Sequence, residues 1–147
     1  MSGQRQRVGA YALSLDETGR VLLCRMSRRS RTPGTLTLPG GGVQHGEDPG
    51  DAVLRELAEE TGLIGRVGAL LGVHANVYDS AGVSIHGVRL LYQVTIIGGT
   101  LRAEPGDGST DGATWVHPDD LDRVTLSAHA RHALELLAAG SAGTSCF

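Results

Sequence analysis

The chain has 147 residues, the size of a single domain that buries about two thirds of its unfolded surface in one core. Hydrophobic residues make up 40% and charged residues 20%, as in folded globular proteins. The net charge is -3 and all 13 basic residues are arginine, so the composition excludes a P-loop lysine and a Schiff-base lysine and does not indicate a nucleic-acid surface.

The cysteines and the hydropathy pattern indicate where the protein works. Cys24 and Cys146 are too few for a disulfide framework, and we expect reduced thiols. The apolar run 8–15 is too short to span a membrane, and two acidic residues follow it where a signal peptide needs small uncharged ones. We therefore expect a cytoplasmic protein with no membrane or nucleic-acid partner, forming one domain over residues 1–147 with an ordered core at about 7–139.

The first elements are two strands and an arginine-rich segment. Two apolar runs between residues 7 and 26 flank Asp-Glu-Thr-Gly at 16–19, which predicts a β-hairpin. The segment 25–31 then holds four arginines. One interpretation is a solvated basic loop. The other is that Arg25, Arg28 and Arg29 bind substrate phosphates through bidentate hydrogen bonds.

A glycine turn and a helix follow. Residues 36–38 predict a short strand, which Pro39 and three glycines at 40–42 end with a sharp turn that lets the backbone approach a ligand. Asp48 and Pro49 are typical of the N-cap and first position of a helix, and Gly62 is typical of its C-terminal cap. The sequence predicts a helix over about 49–61.

This helix places three carboxylates on one face. Glu56, Glu59 and Glu60 are spaced at i, i+3 and i+4, and their mutual repulsion costs roughly 0.2–0.5 kcal/mol per pair. Arg55 is the helix's only basic residue and lies about 100° round from Glu56, beside the three carboxylates. A divalent cation such as Mg²⁺ or Mn²⁺ is the remaining candidate to neutralise them. The helix buries a neighbouring apolar stripe, formed by Val53, Leu54 and Leu57.

The second half of the chain predicts strands, a loop and a final helix. Residues 67–78 and 83–97 are rich in β-formers and predict a hairpin-like pair, in which His74, His86 and Tyr78 are more often core or surface residues than ligands. Residues 101–114 predict a glycine-rich acidic loop before Trp115. Ser127 is typical of the cap of a helix over about 128–139 that packs on the sheet.

Taken together, these residues resemble a known family. Gly41, then Glu47 after five residues, then Arg-Glu-Leu-Ala-Glu-Glu-Thr-Gly-Leu at 55–63 match the Nudix box at every specified position. The resemblance to Nudix hydrolases extends over about residues 7–139. It implies an α/β protein with the Nudix α/β/α sandwich, in which a central mixed β-sheet lies between helices.

The resemblance also implies roles for the box residues. In the family, the glutamates at the positions of Glu56, Glu59 and Glu60 hold Mg²⁺ or Mn²⁺ and are catalytic, and a backbone carbonyl at the position of Gly40 joins them. The family gives the remaining box residues a structural role, and here these are Gly41, Glu47, Arg55 and Gly62. In the family, an ion pair at the positions of Glu47 and Arg55 braces the loop against the helix.

The function implied is hydrolysis of a phosphoanhydride bond in a nucleoside diphosphate linked to another moiety, or in a nucleoside triphosphate. Some family members use an acidic residue in the loop before the Trp-Val strand as the base, and here that loop offers Glu104 and Asp111. Glu56, the first carboxylate of the cluster, is also a candidate base. Asp111 has a second interpretation, in which it holds its own turn by a side-chain hydrogen bond. Dimerisation is common in the family, so a homodimer is expected. The alternative function is a Nudix-fold module that binds a nucleotide without cleaving it.

Overall fold

The structure, a computed structural model, describes residues 3–102 and 108–143. Glu104 therefore lies outside the described residues. The elements in chain order are β1 (Gln4–Leu13), β2 (Val21–Met26), β3 (Leu36–Thr37), β4 (Gly40–Gly42), α1 (Pro49–Thr61), β5 (Leu63–Ser80), β6 (Val83–Gly99), β7 (Thr110–Val116), a 3-10 helix (Pro118–Arg123) and α2 (Ala128–Gly143). Within the described ranges, no helix is both long enough and apolar enough to cross a membrane.

The strands form two sheets. The larger sheet has the order β4-β1-β6-β5, with β1 parallel to β6 and the other neighbours antiparallel. The smaller sheet has the order β3-β2-β7 and is antiparallel. The prediction of an α/β protein with a mixed sheet is confirmed.

The predicted hairpin of the first two strands is wrong in its pairing. The turn itself forms, with Gly19 at φ +83° and the Asp16 N–H donating to the Arg20 carbonyl at 3.0 Å. Beyond it a single bridge joins Leu15 to Val21, and the two strands then enter different sheets. The reason is that β1 pairs with β4 along one edge and with β6 along the other, so neither edge is left for β2.

The second predicted pair does form a hairpin. Strands β5 and β6 pair from Leu63 opposite Gly99 to Ser80 opposite Val83, over a longer stretch than predicted. Ala81 and Gly82 make the two-residue turn, with φ of +49° and +78°. Positive φ at both positions matches the right-handed twist of the strands.

The two helices cover opposite faces of the larger sheet. Along β1, Ala10 and Ala12 pack with α1 while Leu13 packs with α2, because alternate residues of a strand point to opposite faces. Strand β6 repeats the pattern with Val94 on the α1 side and Leu91 on the α2 side. These two cores establish the predicted α/β/α sandwich. The buried positions that the helices contribute are Ala52, Val53 and Leu57 from α1 and Ala130 and Ala133 from α2.

Candidate active site

Local capping fixes the ends of helix α1 as predicted. The Asp48 side chain accepts a hydrogen bond from the Gly50 N–H at 2.8 Å, and Pro49 occupies the first turn. Gly62 ends the helix in the left-handed conformation, at φ +78°, with its N–H donating to the Ala58 carbonyl. Leu57 is fully buried against the sheet, so the rotation of the helix about its axis is fixed and with it the direction of the carboxylate face.

The glycine turn lies directly against that face. The Gly40 N–H donates to Glu60 Oε2 at 3.2 Å, with Gly40 at φ +155°. A Cβ on Gly41 would lie 2.7 Å from the Glu56 carboxyl group. Any side chain at position 41 would therefore displace that carboxylate, which gives a physical reason for glycine in the turn.

Glu60 and Glu56 form the buried part of the carboxylate face. Glu60 is only 3% exposed, and its Oε2 also accepts from the Cys24 Sγ at 3.7 Å. Burial raises the pKa of Glu56, against the opposing effect of the Arg55 guanidinium, and a side-chain hydrogen bond joins Glu56 to Glu60. Neighbouring carboxylates that are both ionised repel each other, so a cation between them would stabilise the pair. Their oxygen atoms fit a hard divalent cation.

Arg55 makes the ion pair that the resemblance implies, together with contacts that sequence reasoning missed. Its Nε and Nη2 donate to Glu47 at 2.9 and 3.0 Å, and Nη2 also donates to the Gly42 carbonyl at 3.1 Å. The hydrogen bonds from Arg55 lower the pKa of Glu47 to about 2. Arg55 Nη1 lies 3.0 Å from Glu56 Oε1 and 3.4 Å from Glu59 Oε1, so it contacts the carboxylate cluster and does not merely lie beside it.

Glu59 differs from the other two glutamates. Its side chain is 51% exposed and lies against Arg55 at the rim of the face. In the described part of the chain, no group of three or more histidine, cysteine, aspartate or glutamate side chains converges closely enough to hold a metal ion. The residues that fit such an ion are Glu56 and Glu60, which line one cavity of about 200 Å³ with the Gly40 backbone. Ligation by Glu59 and by the Gly40 carbonyl stays a prediction.

The other predicted site residues lie farther out. Arg25 Nε pairs with Asp111 Oδ1 at 2.7 Å across strands β2 and β7, and neither residue lines this cavity. Asp111 is in a strand and not in the predicted loop, since β7 begins at Thr110. Thr110 faces the cavity, and alternation along the strand turns Asp111 away. Arg29 lines a neighbouring cleft and Arg28 does not. Substrate contacts by Arg25, Arg28 and Arg29 stay predictions.

Sequence reasoning missed several residues that border the cavity. Arg7 and Tyr11 reach it from β1, and His129 reaches it from the start of α2, where its Nε2 lies 2.9 Å from Thr37 Oγ1. Arginine at positions 5 and 7, just before and at the start of the first predicted strand, was the available signal. No sequence signal indicated that His129 borders the cavity, because its position depends on how α2 packs on the sheet.

The comparisons with known proteins agree with this geometry. The family model described as NUDIX domain matches residues 5–137. This chain belongs to the Nudix family. A MutT NUDIX hydrolase from Burkholderia pseudomallei is 31% identical, with a TM-score of 0.76 over 89% of this chain and 97% of that one. A MutT protein from Methanosarcina mazei is 26% identical, with a TM-score of 0.75 over 94% and 96% of the two chains.

Curated relatives match over shorter stretches. An ADP-ribose pyrophosphatase from Methanocaldococcus jannaschii is 38% identical over 92 residues, which are 60% of this chain and 51% of the relative. A diphosphoinositol polyphosphate phosphohydrolase 2 from Rattus norvegicus is 38% identical over 74 residues, which are 50% of this chain and 40% of the relative. The chain thus spans about half the length of the curated relatives it matches.

Proposed function

We propose that this Nudix protein is a Mg²⁺- or Mn²⁺-dependent hydrolase that cleaves a phosphoanhydride bond in a nucleoside diphosphate linked to another moiety, or in a nucleoside triphosphate. The observation that supports this most directly is the buried pair of carboxylates, Glu56 and Glu60, held beside a glycine turn in one cavity. Relatives named as a pyrophosphatase and a phosphohydrolase favour the same bond type.

In this proposal Glu56 and Glu60 hold the cation, with Glu59 at the rim completing the acidic face. A divalent cation in such a site neutralises the diphosphate, polarises phosphorus and lowers the pKa of water. The Gly40 N–H keeps Glu60 oriented, and Arg55 keeps Glu56 oriented from the other side.

We assign the general base to Glu56. Its carboxyl group lines the cavity beside Glu60, where a water activated by the cation would lie. Asp111 is held by Arg25 at 2.7 Å and faces away from the cavity, which disfavours it. Glu104 is the competing candidate, and Glu104→Gln tests it. A loss of turnover in that variant without a change in KM would reassign the base.

The test is a substrate panel with Mg²⁺ or Mn²⁺, scored by product identity, on the wild type and on Glu60→Gln. The glutamine keeps the size of the side chain and an acceptor for Gly40, so the fold should survive, while the loss of a charged group that holds the cation should lower turnover by roughly a hundredfold or more. Glu135→Gln, at an exposed position of α2, is the matched control. Full activity of Glu60→Gln would exclude this site. Ligand-induced thermal shifts without any product would instead identify a binding module.

A further inference from the structure

The cavity lined by Glu56, Glu60 and the Gly40 backbone, which we call the carboxylate cavity, adjoins a second, larger cavity. It has a volume of about 870 Å³ and shares part of its wall with the smaller cavity, including Arg7, Tyr11, Thr37 and His129. We call it the arginine cleft, defined by Arg5, Arg7, Arg29, Arg31 and Arg89 in its lining. A substrate whose reacting diphosphate lies against Glu56 and Glu60 would have room for its remaining portion in this adjoining cleft.

The cleft concentrates positive charge. Among the described residues that line it, none is an aspartate or a glutamate. Within 3–102 and 108–143, no carboxylate lies at ion-pair distance from Arg5, Arg7, Arg31 or Arg89. Arg25 and Arg55, outside the cleft, are both paired. Like charges repel when they converge on one space, so these arginines favour an anion between them.

Three separate elements hold these guanidinium groups around that space. Arg5 and Arg7 alternate along β1, and Arg89 lies on the neighbouring β6, opposite Gly9 in the parallel register. Arg89 Nη1 donates to Asn76 Oδ1 at 2.7 Å. Arg31, in the loop after β2, places its guanidinium 4.4 Å from the centre of the Tyr78 ring. The cleft is thus built by the fold and does not come from one flexible basic loop.

The two tyrosine rings that line the cleft already contact other side chains of the protein. Arg31 and Arg89 both approach the Tyr78 ring, at 4.4 and 5.7 Å from its centre. Tyr11 packs against His129, with ring centres 4.4 Å apart. A nucleobase stacking on Tyr78 would have to compete with a guanidinium held by cation-π attraction. Phosphate groups instead match the fork of donors that each arginine presents.

We propose that the arginine cleft binds a moiety carrying several phosphate groups, so that the substrate is a small, multiply phosphorylated molecule bearing a diphosphate. This proposal rests on the part of the proposed function that places cleavage of a phosphoanhydride bond at the carboxylate cavity. Within it, the cleft favours a substrate whose remaining portion carries phosphates over one that carries an unphosphorylated nucleoside. Arg5, Arg7, Arg31 and Arg89 bind the additional phosphates. They are binding residues that set specificity and take no part in breaking the anhydride bond.

The test separates binding from catalysis. Isothermal titration without divalent cations gives the Kd of inositol hexakisphosphate, a fully phosphorylated ring without a diphosphate, and of ADP-ribose. We expect the hexakisphosphate to bind at least tenfold more tightly, and Arg31→Gln and Arg89→Gln each to weaken it by about tenfold. Arg66→Gln, exposed on β5 and outside the cleft, is the matched control and should leave Kd unchanged.

Two outcomes would overturn this proposal. One is ADP-ribose binding as tightly as the hexakisphosphate or more tightly. The other is equal losses of affinity in Arg31→Gln and Arg66→Gln, with thermal melting showing that both variants are folded. A failure of the proposed function looks different, because the hexakisphosphate would still bind through Arg31 while no phosphoanhydride in the panel is cleaved. If the carboxylate cavity cleaves the anhydride and the arginine cleft binds the remaining phosphates, Arg31→Gln should raise KM for a diphosphoinositol pentakisphosphate and leave kcat unchanged.

Discussion

Gly40 and Gly41 are neighbours, yet substitution by alanine should lower turnover at position 41 and stability at position 40. In Gly41→Ala, the new Cβ would lie 2.7 Å from the Glu56 carboxyl, where ordinary contact begins at 3.4 Å. The end of the side chain must therefore move by about 0.7 Å. A flexible carboxylate moves at a cost below about 1 kcal/mol. A displacement of this size at a reacting centre lowers turnover by roughly tenfold to a hundredfold.

Gly40→Ala should instead destabilise the fold. Gly40 has a φ of +155°, and its Cβ would collide with the Ala10 carbonyl oxygen in the paired strand β1, which cannot move without breaking the sheet. The backbone strain alone costs about 1–3 kcal/mol. Urea denaturation gives the free energy of unfolding of both variants, and initial rates with Mg²⁺ give their turnover. Gly140→Ala, where the Cβ meets nothing within 4 Å, is the control.

The expected outcome is a crossed pattern, in which Gly41→Ala loses turnover but little stability and Gly40→Ala loses stability. Wild-type turnover in Gly41→Ala would refute the argument that the position of Glu56 controls the reaction. Wild-type stability in Gly40→Ala would refute the backbone conformation described for the turn.

Two further predictions concern stability. His129 has its pKa lowered to about 3 by burial, so the unfolded chain binds a proton there that the folded chain does not between about pH 6.5 and 3. Stability should therefore fall as pH falls through that window. In urea titrations at several pH values, His129→Asn should flatten this dependence, while the control His45→Asn, at an exposed position, should keep it. An unchanged slope in His129→Asn would contradict a buried neutral imidazole. Leu57→Ala, at a fully buried position of α1, should cost about 2–5 kcal/mol in the same assay, and a loss under 1 kcal/mol would mean that α1 is not anchored as described.

Sequence alone predicted the features that depend on local chemistry. The ends of α1 followed from Asp48, Pro49 and Gly62, because capping involves residues within one turn of each other. The common face of Glu56 and Glu60 followed from helical spacing. The α/β/α sandwich came from the resemblance of the box to a family and is confirmed by the structure.

Features that depend on distant partners were missed. The pairing of β1 with β6 joins residues about eighty positions apart, and no local pattern indicates it. The arginine cleft depends on that same pairing, since Arg89 reaches Arg5 and Arg7 only across it. Asp111 was assigned to a loop because glycines surround it, whereas pairing of β7 with β2 draws it into a strand. Long-range pairing overrides local propensity at such positions.

The charge balance around α1 explains why one arginine does not complete the site. Arg55 contacts three carboxylates. Its Nε and Nη2 donate to Glu47 and to the Gly42 carbonyl, and its Nη1 donates to Glu56 and Glu59. One guanidinium cannot neutralise those three carboxylates together with Glu60. Glu60 is the most buried of them, at 3% exposed, and loss of hydration makes a negative charge there more costly than at Glu59, whose side chain is 51% exposed. A divalent cation held between Glu56 and Glu60 would offset part of that cost, which is why we place the proposed chemistry at this pair and not at the exposed Glu59.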